Sequence, residues 1–188
     1  MSRPQIALFG GSFDPPHLGH VLAAVHARSV GGCTEVWILP CAVHPWAKAL
    51  SPWDRRWALC QAAFGTLGPW CQVRNDEQAN PSGFTYDLVV KLRRENPGAD
   101  FLLMGGSDTG QQLPAWHRGD ELARIIGIHV VPRGGHDAGI SALPPVSSTL
   151  VRKLLLTQDP AVAELLPRGV LDQIRHHDWY RTTRSDGP

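Results

Sequence analysis

Apolar runs of strand length alternate with longer stretches of mixed polarity from one end of the chain to the other. Ile6-Ala7-Leu8-Phe9, Val36-Trp37-Ile38-Leu39, a short run around Gln72-Val73, Phe101-Leu102-Leu103-Met104 and a segment within Ile125 to Val131 predict five strands, bounded by Gly, Pro and polar turns. Helices are predicted over Leu18 to Arg28, from Ser51 to about Phe64, over Thr85 to Arg94, from about Ser148 to Leu156 and from Pro167 to His176. In the second helix Ser51 is the expected cap, Pro52 the first helical residue, and Asp54 a favourable charge at the positive end of the dipole. Asn96-Pro97-Gly98 stops the third. The tail after Tyr180 is polar and expected to fray. This alternation predicts an α/β fold: a doubly wound, Rossmann-like parallel sheet with helices on both faces, joined by right-handed crossovers. Ligands in such folds sit at the carboxyl ends of the strands, where the strand order reverses.

With 188 residues, no internal repeat and no linker-like stretch, the chain is expected to form a single domain over 1–188. A net charge of +1 gives no bulk attraction to nucleic acid or to an anionic membrane. No apolar run reaches the roughly eighteen residues a spanning helix needs. No signal-peptide pattern opens the chain, so the expected compartment is the cytoplasm. Cys33, Cys41, Cys60 and Cys71 form no C-x-x-C pair and read as free, buried or half-buried thiols.

The candidate chemistry starts at Gly10-Gly11-Ser12-Phe13-Asp14-Pro15-Pro16-His17-Leu18-Gly19-His20. A strand that runs through a glycine turn into a helix leaves backbone N–H groups without helical partners, and such a start favours phosphate. His17 and His20 fall on one face of that first turn, and Gly19 removes a side chain where a ligand would approach. The competing reading is a glycine turn with two surface histidines. A second candidate is Ser147-Ser148-Thr149-Leu150-Val151-Arg152, with hydroxyls at a helix start and a guanidinium one turn in. Alone, it reads equally as an ordinary cap beside a solvated arginine.

Together these segments resemble the adenylyl- and cytidylyltransferases marked by an early H-x-G-H and a late S-S-T-x-x-R, and among them the nicotinate mononucleotide adenylyltransferase family. The resemblance extends over essentially the whole chain. Gly106-Ser107-Asp108 followed by Leu113-Pro114-Ala115-Trp116-His117 is similar to that family's G-x-D and P-x-W segments. Phe84-Thr85 is similar to its Tyr-Thr segment, and Leu166 to Ile174 with Tyr180 to its C-terminal helix. The resemblance implies transfer of AMP from ATP to the 5′-phosphate of nicotinate mononucleotide, giving deamido-NAD and pyrophosphate. It implies that Gly10, Gly11, Ser12, Phe13, His17, Gly19 and His20 hold the triphosphate, with Ser148, Thr149 and Arg152 on its other side. His17, His20 and Arg152 are the expected catalytic residues.

Trp116 is the expected stacking surface for the pyridine, against the alternative of a core indole in a chain with seven tryptophans. Thr85 reads either as a carboxylate-binding helix start or as a plain cap, and Asp108 either as a ribose acceptor or as an Asx-turn. Lys48 and Arg133 complete the expected mononucleotide set. Mg²⁺ is expected on the ATP phosphates, with no metal ligands from the protein. The expected partners are therefore ATP and a pyridine mononucleotide, without nucleic acid or membrane; a homo-oligomer is left open.

Three segments depart from the family pattern. Val43-His44-Pro45-Trp46-Ala47-Lys48 replaces a Pro-Pro-His-Lys ending, Gly83-Phe84-Thr85 with Leu88 lacks two hydroxyls, and Arg133-Gly134-Gly135 replaces Arg-Pro-Gly. These leave nicotinamide mononucleotide or another phosphorylated acceptor as alternatives, and a non-catalytic ATP-binding module as a reading of another class. A phosphopantetheine adenylyltransferase fits less well, having no P-x-W segment and usually a threonine at the position of His17. A class I aminoacyl-tRNA synthetase fragment lacks support from any lysine-rich second motif or basic surface.

Overall fold

A computed structural model describes residues 3–43, 49–106, 108–132 and 143–181. Its strands are β1 (Gln5–Gly11), β2 (Glu35–Pro40), β3 (Cys71–Val73), β4 (Asp100–Gly105) and β5 (Gly127–Val130). All pair in parallel in one sheet of order β3-β2-β1-β4-β5. The described helices are α1 (Leu18–Ser29), α2 (Trp53–Phe64), α3 (Thr85–Glu95), α4 (Thr109–Gln112), α5 (Gly119–Ile125), α6 (Ser148–Leu156) and α7 (Arg168–His176).

The apolar runs are unbroken because both faces of the sheet are covered. Along β1, Ala7 and Phe9 join a cluster with Ala23, Ala24 and Ala27 of α1, Leu59 and Phe64 of α2, Val151 of α6 and Ile174 of α7. Ile6 and Leu8 point the other way, into a cluster with Leu88, Val89 and Leu92 of α3 and Leu122 of α5. The three alanines on the buried side of α1 let that helix lie close to the central strands.

Strand order runs outward from β1 through β2 to β3, then jumps back across the sheet to β4 beside β1. The reversal therefore lies between β1 and β4, and a crevice opens beyond their carboxyl ends. The predicted fold class is the one observed.

Local details differ from the sequence reading. Pro52, with ψ 142°, is the residue that precedes α2, so Ser51 is not its cap. The Ser51 backbone N–H is instead taken by the Asp14 carboxylate at 3.1 Å. The helix α5 and the single helical turns at Asp76–Ala79 and Thr109–Gln112 carry no periodic signal, being only one or two turns long. Tertiary packing holds α5, whose Leu122 is fully buried. All four cysteines are free thiols, three buried and Cys41 half-buried. Burial pushes the Cys71 thiol up to about 12. No described helix is long and apolar enough to cross a membrane. The polar tail from 182 onward lies outside the described residues.

Candidate active site

Beyond β1 the chain turns through Ser12 to Pro16 and enters α1 with His17 as its N-cap in extended conformation. His17 is buried, and its imidazole stacks on that of His20 with ring centres 3.7 Å apart. The His17 backbone N–H donates to His20 Nδ1 at 3.2 Å, a capping contact that assigns Nδ1 as acceptor and makes Nε2 the ring's donor. The room left by Gly19 belongs to the histidine itself: a Cβ there would lie 3.1 Å from His17 Nδ1 and 3.6 Å from Val146 Cβ. Gly19 thus admits the His17 ring, and it also lines a small cavity beside that ring.

The late motif docks onto this early turn. Ser147 caps α6, accepting the Leu150 N–H at 3.2 Å. Ser148 Oγ donates to the Pro15 carbonyl at 2.9 Å, and Arg152 Nη1 donates to the Asp14 carbonyl at 2.6 Å. Thr149 is exposed, and its hydroxyl accepts from Arg152 Nη2 at 3.4 Å. The structure thus brings the two motifs together through backbone carbonyls.

Two cavities flank the end of β1. The larger, about 260 Å³, is lined by Gly10, Gly11, Ser12, Thr85 and Trp116, and also by Glu77, Phe84 and His117. The smaller, about 30 Å³, is lined by Phe9, His17, Gly19, His20, Leu143 and Val146. The alternation of β1 side chains separates them: Leu8 and Gly10 face one, Phe9 the other. Trp116 is half-buried, packing against the apolar core with part of its surface on the cavity. Thr85 is the first residue of α3 and Phe84 its cap, so Thr85 is not the cap. The Phe84 ring stacks on His117 at 4.1 Å.

Two expected residues are placed differently. Phe13 is a core residue, 1% exposed, packed edge-on against Phe9, Phe64 and His20, so its ring is not available to ATP. Asp108 is exposed and lines neither cavity; its Oδ2 accepts from Gln112 Nε2 at 2.6 Å, one turn along α4, in place of an Asx-turn. Lys48 and Arg133, with Trp46 and Ser107, lie outside the described residues. Among the described residues no group of three His, Cys, Asp or Glu side chains could hold a metal ion.

Sequence reasoning missed four buried charged groups, Asp14, Arg56, Asp76 and Glu77. Asp14 is 5% exposed; its Oδ1 accepts from Tyr180 Oη at 2.7 Å while Oδ2 holds Ser51. Burial and the Asp14 charge push the Tyr180 phenol above its ordinary range. Arg56, 1% exposed, donates to the carbonyls of Ser12 at 3.0 Å and Ser51 at 2.9 Å. Glu77 is buried at the wall of the larger cavity. Asp14 stood within the first motif, but nothing in the chain's spacing marked Arg56 or Glu77.

A crevice at the strand-order reversal, with a glycine turn and paired imidazoles at a helix start, has the form of a nucleotide site on a Rossmann-like sheet. A family model described as cytidylyltransferase-like matches residues 8–154. A probable nicotinate-nucleotide adenylyltransferase of Myxococcus xanthus is 35% identical, with 96% of this chain and 97% of that protein covered. Another from Bacillus pumilus is 33% identical over 95% of this chain and 99% of its own length. The solved nicotinic acid mononucleotide adenylyltransferase of Plasmodium falciparum, complexed with NaAD, superposes with a TM-score of 0.77 at 19% identity, covering 94% of this chain and 97% of that one. The chain belongs to the cytidylyltransferase-like nucleotidyltransferases and, within them, to the nicotinate-nucleotide adenylyltransferase family.

Proposed function

We propose that this chain transfers AMP from ATP to the 5′-phosphate of nicotinate mononucleotide, yielding deamido-NAD and pyrophosphate. A phosphate oxygen of the mononucleotide attacks the α-phosphorus in line, the bond to the bridging β-phosphate oxygen breaks, and pyrophosphate leaves with that electron pair. No covalent enzyme intermediate is invoked. Two polyanions must be brought together and the charge around phosphorus held by fixed donors, which is work for positioning and electrostatics.

The observation that carries the reading is the pair of cavities on either side of the end of β1. The mononucleotide occupies the larger, with its pyridine against Trp116 and its carboxylate near the start of α3 at Thr85. ATP lies along the turn and over the smaller, where His17 and the Nε2–H of His20 donate to phosphate oxygens. Arg152 and Ser148 hold the turn that carries these groups, and the further guanidinium N–H groups of Arg152 are at hand for phosphate. Mg²⁺ arrives with ATP as part of the substrate, keeping phosphate and water oxygens as ligands.

The test is pyrophosphate release from ATP and Mg²⁺ with nicotinate mononucleotide, with the dinucleotide identified by mass. No turnover with this or any pyridine mononucleotide, while ATP still binds, ends the proposal. Trp116→Ala assigns the sides: KM for the mononucleotide should rise about tenfold, the loss of one aromatic stack, with KM for ATP nearly unchanged. Equal effects on both substrates would move the pyridine elsewhere.

A further inference from the structure

Among the described residues lining the larger cavity there is no lysine or arginine and one carboxylic acid, Glu77. The side chain is fastened in place. Asn80, itself buried, donates from Nδ2 to Glu77 Oε2 at 3.1 Å and to the Phe84 carbonyl at 3.3 Å. One amide therefore ties the Glu77 carboxyl to the residue that caps α3. Ser82 consolidates this start, accepting the Phe84 N–H at 3.2 Å and donating to Asp87 Oδ2 at 2.7 Å.

Among the described residues, the cations near Glu77 are committed elsewhere. Asp76, next in sequence to Glu77, receives Arg74 Nε at 2.7 Å and lies 3.7 Å from Lys91 of α3. Burial opposes the Asp76 charge, but the Arg74 hydrogen bond and the charges of Arg74 and Lys91 outweigh it and hold that carboxyl below its usual range. Arg56 of α2 is engaged with the Ser12 and Ser51 carbonyls. The other titratable groups on the cavity wall are the Cys41 thiol, raised chiefly by burial, and His117 stacked on Phe84. For Glu77, burial dominates; the Asn80 hydrogen bond opposes it and the Asp76 charge reinforces it, leaving the carboxyl at about 7.

We propose that Glu77 determines which pyridine substituent the cavity accepts, taking one proton from solvent when the acid mononucleotide binds and none when the amide binds. The proposal rests on the assignment of this cavity to the mononucleotide. A nicotinate carboxylate at the α3 start cannot sit beside an ionised carboxylate without repulsion in a cavity whose described wall offers no countercharge. Protonated Glu77 removes the repulsion and donates an O–H hydrogen bond to it. An amide needs no such proton, since ionised Glu77 accepts from its N–H₂. No covalent bond changes; the solvent proton ends on the Glu77 carboxyl. The sign follows: affinity for the acid is full below about pH 7 and falls as Glu77 ionises, whereas affinity for the amide does not fall with it.

The experiment compares nicotinate and nicotinamide mononucleotides on the intact chain at pH 6, 7 and 8, by KM and by titration calorimetry in two buffers of unlike ionisation heat. Both ligands carry the same titrating phosphate, so its contribution cancels in their difference. The acid-to-amide affinity ratio should fall about tenfold from pH 6 to 8, with extra proton uptake for the acid alone. Glu77→Gln, which keeps an acceptor for Asn80 and supplies a permanent donor, should give the acid the pH slope of the amide. Equal slopes for the two ligands in the native chain would overturn the role and leave the adenylyltransferase assignment standing. A Glu77→Gln variant with the native acid slope would do the same. A chain that accepts neither mononucleotide would overturn the parent assignment as well as this role.

Discussion

Two helix starts carry the two motifs, and they use their side chains in opposite ways. At α1 the imidazoles of His17 and His20 stack on one another, and the His20 ring turns Nδ1 back to the backbone so that Nε2 is the donor. At α6 the side chains leave their own helix: Ser148 and Arg152 donate to the carbonyls of Pro15 and Asp14. The first start presents groups beside a cleft, and the second builds the turn that holds the first in place. A phosphate-binding signature in sequence therefore does not say which residues touch phosphate and which shape the loop that does.

The largest test of this contrast is His20→Ala. Losing one fixed donor should depress kcat by roughly 10²–10³-fold. Losing its capping contact should cost only about 1 kcal/mol of stability, read by thermal melting. A variant that melts early yet keeps full specific activity in its folded fraction would reverse the roles of the two starts.

Arg152→Ala comes next. Removing a charge-assisted bond to a half-buried carbonyl should cost about 1.5–3 kcal/mol in denaturant unfolding, together with a raised KM for ATP as the turn loosens. Arg152→Lys should recover only part of this, since a lysine cannot reproduce the guanidinium's planar set of donors. Unchanged stability would make the Asp14 contact incidental and return Arg152 to the ligand alone.

The smallest effect is expected from Ser148→Ala. Loss of one neutral hydrogen bond to Pro15 should lower stability by about 1 kcal/mol and raise KM for ATP less than about threefold. A drop in kcat comparable to that of His20→Ala would show that the hydroxyl acts on phosphate directly.

The central strands and main helices were legible because the apolar runs of β1, β2 and β4 are buried between helices on both faces of a parallel sheet, and periodicity records burial. The segments the pattern missed, α5 and the turn at Asp76–Ala79, are too short to show a period and are kept by contacts from elsewhere. In the site, His17, His20, Gly10 and Trp116 were legible because they stand in motifs, and the structure puts them on cavity walls. Phe13 stood in a motif too, yet the geometry buries its ring among Phe9, Phe64 and His20. Asp108 satisfied a pattern but turns to Gln112.

Sequence alone determined the fold class, the family and the two segments that frame the site, because local pattern and motif chemistry are properties of neighbours along the chain. Tertiary structure decided what the buried charges do. Arg56 reaches the Ser12 carbonyl across 44 residues, Tyr180 reaches Asp14 across 166, and Glu77 enters a cavity walled by strands and helices that no spacing connects to it. A charge is costly to bury until a partner satisfies it, and those partners exist only once the chain has folded.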